Sequence, residues 1–279
     1  MHKKFAKIII FLAIIATIVA SYFFLRSQKT SDNVQTNKAV PTAQNQPKTT
    51  KVPEPENNIK ENDTQPAMEE PTPEEKSISP PPEKFLLEMP FYSQAPLSKW
   101  DAFHEDMCEE ASVLNGALYL LGKKLTKEQF ETELQKMQSV EKKEIGEWKS
   151  TTIAETKKVV DIYFEGRIKT KILENPTIED IEREITAGLP AGASAEAGNP
   201  VVVPLAGREI GNPNFTPPGP IYHMLVIKGY DAQNFITNDV GTRKGNSYVY
   251  KKEVIMKNMH DWNEQDIHIG TKQILVLYK

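Results

Sequence analysis

From Ser27 to Lys84 the sequence cannot build a core. This stretch carries about half of the chain's 20 prolines, set among Thr, Gln, Asn, Lys and Glu, with hardly an apolar side chain larger than valine. Such a segment buries too little surface to offset its conformational entropy, so it reads as a disordered linker. A flexible coil of about 58 residues reaches on the order of 40 Å, and proline stiffening lengthens that. Folding must therefore happen before it or after it.

Before it lies Phe5–Leu25, apolar apart from Lys7 and a few hydroxyl and small residues. At about 1.5 Å per residue such a helix spans a hydrocarbon core of roughly 30 Å. Lys3, Lys4 and Lys7 suit a secretory signal as well as an anchor. The apolar run continues through Tyr22–Leu25, past the place for a small-residue cleavage site. Residues 1–26 are therefore read as an uncleaved transmembrane anchor, and 27–84 as its tether. The basic flank predicts an N-terminus inside and the rest extracytoplasmic, at the cell membrane.

After it lies one domain, residues 85–279, a usual size for a single core. The formal net charge of the chain, -4, leaves no electrostatic footprint for nucleic acid. A lone cysteine excludes an intramolecular disulfide framework, although the expected compartment would permit one. The first part of the domain reads as helices. Ala111, Leu114, Leu118 and Leu121 form a stripe that Gly122 stops. Thr126 and Gln129 have capping-box spacing ahead of Phe130, Leu134 and Met137. A further helix runs from Thr152 to near Phe164, and another opens at Thr177 and ends at Gly188. Short β-like runs follow at 201–203, 224–228, 235–237, 248–250 and 274–278, with a helix at 253–259. Helices first and strands after predict an α+β fold, the helices packed on a mainly antiparallel sheet. The Gly-, Pro- and Asn-rich segment 206–220 reads as a surface loop able to border a site.

Two stretches carry chemistry. Cys108 falls in or just before the first turn of its helix, where free N–H groups and the positive end of the dipole favour a thiolate. Glu109 and Glu110 work against this, so a compensating imidazolium is needed. The alternative is a buried cysteine that merely packs. His223 begins one predicted strand and Asp239 ends the next. If the two strands pair as a hairpin, both residues reach the same end of the sheet, where a carboxylate could orient the imidazole. Among weaker candidates, His104, Glu105, Asp106 and Glu109 lack the spacing of a metal site, and no metal is expected. Trp100 reads as a packing or cleft-lining residue. His260, Asp261 and Trp262 read as a helix end with a packing tryptophan rather than a second catalytic pair.

Three segments carry a resemblance: EMPFYSQAPLSKW, HEDMCEEASVLNGALYLLGK and YHMLVIKGYDAQNFITNDVGTRKGNSYVY. Over about residues 88–279 the chain resembles the peptidase C39-like group of papain-fold cysteine peptidases. The resemblance implies a papain-like fold with Cys108 as nucleophile, His223 as general base and acid, and Asp239 orienting His223. It further implies that Gln94 and the Cys108 N–H hold the oxyanion. Many relatives have Gly-Pro or Gly-Ala after the cysteine, whereas a subgroup shares Cys-Glu-Glu-Ala-Ser. No phosphate-binding loop is present, so no fused ATPase is expected. These features together predict a membrane-anchored peptidase that acts on a peptide or protein substrate without a cofactor. Two other readings are a transpeptidase or amidase on the same triad, and a non-catalytic peptide- or cell-wall-binding module.

Overall fold

The computed structural model describes residues 80–146, 149–188 and 198–279. The expected anchor and all but the last residues of the expected linker lie outside the described residues. Among those described, no helix is long and apolar enough to cross a membrane.

Strand β1 (Phe85–Leu86) opens the domain, followed by a short helix α1 (Ala102–Glu105) and then α2 (Cys108–Leu120). From Cys108 to Leu118 every residue of α2 is buried. A helix buried all round needs no single apolar stripe, and Ser112 satisfies its hydroxyl on the Met224 carbonyl at 3.0 Å. Gly122 follows at φ +63°, the left-handed C′ position that ends α2. Helices α3 (Lys127–Glu144) and α4 (Ile153–Phe164) both begin with capping boxes, from Thr126 and Thr152. The buried stripe of α3 is Phe130, Leu134, Met137 and then Glu141.

Here the structure departs from the expectation of helices followed by strands. Strand β2 (Lys169–Glu174) comes before helix α5 (Ile178–Ile185). Its Lys169-Thr-Lys-Ile-Leu-Glu174 sequence holds little apolar signal because it is an edge strand; exposed lysines there also discourage edge-to-edge pairing. Next come β3 (Val201–Ala206), β4 (Tyr222–Tyr230), β5 (Asn234–Asn238), β6 (Tyr248–Lys251), helix α6 (Lys252–Asn258) and β7 (Gln273–Tyr278). The sheet order is β2-β7-β3-β4-β5-β6, with β1 pairing to β4, and every pairing is antiparallel. The fold is α+β with an antiparallel sheet.

Strand β4 is buried along its whole length. It pairs with β3 over Tyr222–Ile227 and with β5 in a hairpin that brings Val226 opposite Asn238. That register sets the end of β5 beside the start of β4. The chemistry gathers there.

Candidate active site

Cys108 is the first residue of α2, after an N-cap, Met107, that offers no side-chain bond. Its amide has no carbonyl four residues back within the helix, which leaves it available to an incoming acceptor. The side chain is 5% exposed, and its thiol donates to Glu109 Oε2 at 2.9 Å. Burial pushes the thiol well above its ordinary ionisation range, and the Glu109 charge pushes it further; the Met224 N–H acts in the opposite direction. Burial and Glu109 thus oppose the preference of the helix start for a thiolate, in the sense expected of the acidic pair beside the cysteine. Glu109 and Glu110 turn inward rather than to solvent, and each carboxylate also takes up its own N–H.

Both acids belong to a buried cluster. Glu109 Oε1 accepts the Thr151 N–H at 2.9 Å, so both of its oxygens are engaged. Glu110 pairs with Glu141 of α3, carboxyl to carboxyl. Each is left with a buried Oε2 that no N–H or hydroxyl group reaches, so a retained proton is what satisfies the pair. Burial, then the Glu110 charge, raises Glu109 to about 8. Burial, then the bond to Glu110, raises Glu141 to about 11.

The β4–β5 hairpin brings His223 Nε2 within 2.8 Å of Asp239 Oδ1. Asp239 is fully buried. Asn212 Nδ2 donates to its Oδ2 at 2.8 Å, the Tyr250 hydroxyl to the same atom at 2.5 Å, and the Gly241 N–H to Oδ1 at 3.1 Å. Burial alone would raise its ionisation, but His223, Tyr250 and Asn212 outweigh that and hold it below the ordinary carboxylate range. With Nε2 committed to Asp239, Nδ1 is the ring nitrogen left for a second group. The ring packs edge-on to Phe215 at 5.2 Å. It also lies so near Gly241 that a Cβ there would meet His223 Cε1 at 2.8 Å. Asn212, Tyr250 and Gly241 escaped the sequence reading; Tyr248 and Tyr250, two apart on one strand, share a face and gave no sign of which ring reaches Asp239.

Cys108 and His223 line one cleft of about 900 Å³, together with Gln94. The segment around α1 contributes Trp100, Glu105 and Asp106, the β5–β6 connection Arg243 and Lys244, and the β3–β4 loop residues 213–220. The loop and Trp100 thus border the cleft. Gln94 donates its amide to the His104 carbonyl at 2.7 Å and the Glu105 carbonyl at 3.2 Å. Two carbonyls fix that face of the amide as nitrogen, so Oε1 is the atom left buried without a donor. The resemblance implies an oxyanion role for Gln94; in the structure its amide nitrogen donates to two backbone carbonyls.

The remaining candidates are structural. His104 sits between Asp101, at 2.7 Å, and Glu131, at 3.0 Å. Asp261 Oδ1 accepts the Ile153 N–H at the start of α4 at 2.9 Å, its other oxygen takes Gln273, and the Trp262 ring lies against Tyr222.

No curated protein matches the chain. A crystal structure from Bacillus anthracis, described as that of a C39-like peptidase, is similar at 18% identity; the match covers 71% of this chain and 98% of that one, with a TM-score of 0.45. A family model matches residues 86–266, most of the domain that holds Cys108, His223 and Asp239. The chain belongs to the Peptidase_C39 like family.

Proposed function

We propose that this protein is a cysteine peptidase that cleaves peptide bonds through an acyl-enzyme. The observation that carries the reading is Cys108, at the first position of a helix, lining one cleft with a histidine already held by a buried aspartate. His223 Nδ1 takes the Cys108 proton and Sγ attacks the peptide carbonyl carbon. The Cys108 N–H meets the oxyanion. His223 then returns the proton to the leaving amine, and a water molecule, deprotonated by His223, hydrolyses the thioester. Asp239 keeps the ring in register. Gln94 joins the oxyanion hole only if one N–H leaves its carbonyl, and the longer bond, to Glu105 at 3.2 Å, is the one to yield. The cycle draws on no cofactor. We place the domain 85–279 outside the cytoplasm, tethered by residues 27–84 to an anchor at 1–26; the support is the composition of those segments.

The test uses the full chain, with denatured casein as substrate. Iodoacetamide that labels Cys108 alone, one equivalent per chain, should extinguish the appearance of new N-termini. Cleavage that continues after complete labelling, or no cleavage by the unlabelled chain, sinks the reading. Because a Cβ at Gly241 would push the His223 ring, Gly241→Ala should lower turnover roughly a hundredfold with an unchanged circular dichroism spectrum. Turnover within threefold of wild type would show that the ring position is not what matters. One observation favours a second reading, a peptide-binding module on the same fold: the Cys108 thiol faces Glu109, an acceptor that disfavours its ionisation.

A further inference from the structure

The side chains around Cys108 are arranged for restraint as well as for attack. Glu109 is 2% exposed, and both of its oxygens are pinned, one by the Thr151 N–H and one by the thiol, each at 2.9 Å. Nothing about helix α2 requires this. A carboxylate in the first helical turn is as well served by pointing to solvent, and burying one is costly unless it is fully engaged. The engagement includes the very atom that the proposed reaction needs free. We propose that Glu109, as a carboxylate, latches Cys108 in its thiol form, and that protonation of Glu109 releases the thiol to His223. This rests on the peptidase reading and adds its regulation: the site is charged when Glu109 is neutral and silent when it is ionised.

Charges facing Glu109 set the pH at which this happens. On its own segment these are Cys108 and Glu110, the latter with Asp106 beside it; Glu141 comes from α3. Strand β4 supplies Tyr222, and Asp261 stands behind it. Burial first, and then the Glu110 charge, oppose a negative charge on Glu109. This moves the Glu109 titration from the acid range up to about 8, where ordinary changes of medium reach it. When Glu109 is neutral, the S–H bond has lost its anionic acceptor. The proton can pass from Sγ to His223 Nδ1, giving a thiolate and an imidazolium with no net change in charge. When Glu109 ionises, the thiolate would sit beside a carboxylate, and the proton returns to sulfur.

The experiment is the rate of Cys108 alkylation by iodoacetamide from pH 5 to pH 10, on the full chain as wild type, Glu109→Gln, His223→Ala and the double variant. The amide introduced by Glu109→Gln can keep the Thr151 bond through its oxygen while removing the charge, so the fold should survive. In wild type the rate should fall between about pH 7.5 and 9, across the Glu109 titration. Glu109→Gln should remove that fall and label about tenfold faster at pH 9, as expected if loss of one adjacent charge moves the thiol ionisation by a single pH unit. His223→Ala should slow labelling in both backgrounds below pH 8. If Glu109→Gln follows the wild-type profile while His223→Ala is slow, the latch is overturned and the peptidase reading stands. If Glu109→Gln is faster but His223→Ala changes nothing in either background, release to His223 fails together with the peptidase reading. Should Glu109→Gln not fold by circular dichroism, the wild-type profile decides, since a rate that only rises from pH 5 to 10 overturns the latch.

Discussion

Asp239→Ala should lower turnover by roughly a thousandfold or more, on the scale seen when an orienting carboxylate is lost from a catalytic triad, and should destabilise the fold by about 3 kcal/mol. The two effects share a cause. Asp239 is fully buried and accepts from His223, Asn212, Tyr250 and the Gly241 N–H, so removing it strands four groups rather than one. Asp239→Asn separates the losses. Its oxygen can still face His223, while its amide nitrogen meets Asn212 Nδ2 and the Tyr250 hydroxyl, two donors. The Asp239→Asn protein should therefore be intermediate in both respects. Urea unfolding and the steady-state turnover number of each variant are the measurements. An Asp239→Ala protein within threefold of wild-type turnover would remove Asp239 from the site.

The second large effect concerns pH and stability. In the folded chain Glu109 and Glu141 keep their protons up to about 8 and about 11, held by burial and by their neighbours' charges. The unfolded chain releases the same protons near pH 4.3. Above that value the folded state binds more protons than the unfolded state, so stability falls as pH rises. The slope is about 1.4 kcal/mol per pH unit for each retained proton, and Glu109 stops contributing once pH passes its folded value. Asp239 has the opposite sign: its folded value is depressed, so its contribution is present above the ordinary aspartate range and is lost as pH falls through its folded value. Stability should therefore peak near the ordinary carboxylate range and decline towards pH 8. Glu141→Gln supplies a permanent donor to Glu110 without a proton to lose, and should flatten the alkaline decline. Urea midpoints between pH 4 and pH 9 check this; a wild-type midpoint that rises steadily over that range would contradict it.

Much of this arrangement was legible in the sequence, wherever its cause was local. The Thr126, Thr152 and Thr177 caps write helix starts within four residues, and all three form as capping boxes. The hairpin that joins His223 to Asp239 needs only a turn and two short apolar runs. Strand β2 went unread because its partner, β7, lies about a hundred residues away and its own pattern is that of an exposed edge. Glu141 is the instructive miss. It continues the spacing of Phe130, Leu134 and Met137 and so falls on the buried face of α3, yet its chemistry says surface. A charged residue in register with an apolar stripe was the available signal. Asn212 and Tyr250 carried no such mark, since their role exists only where a loop and an edge strand converge on Asp239.

The cap that Asp261 places on Ile153 bears on how the site is anchored. The two residues are 108 positions apart, and the amide that pins Glu109 belongs to Thr151, two residues before the capped one. Helix α2 draws on its own sequence, whereas the anchorage of Glu109 and the segment that supplies it rest on contacts made 42 and 108 positions apart. The folded chain thus holds its nucleophile through contacts drawn from segments far along the sequence from it.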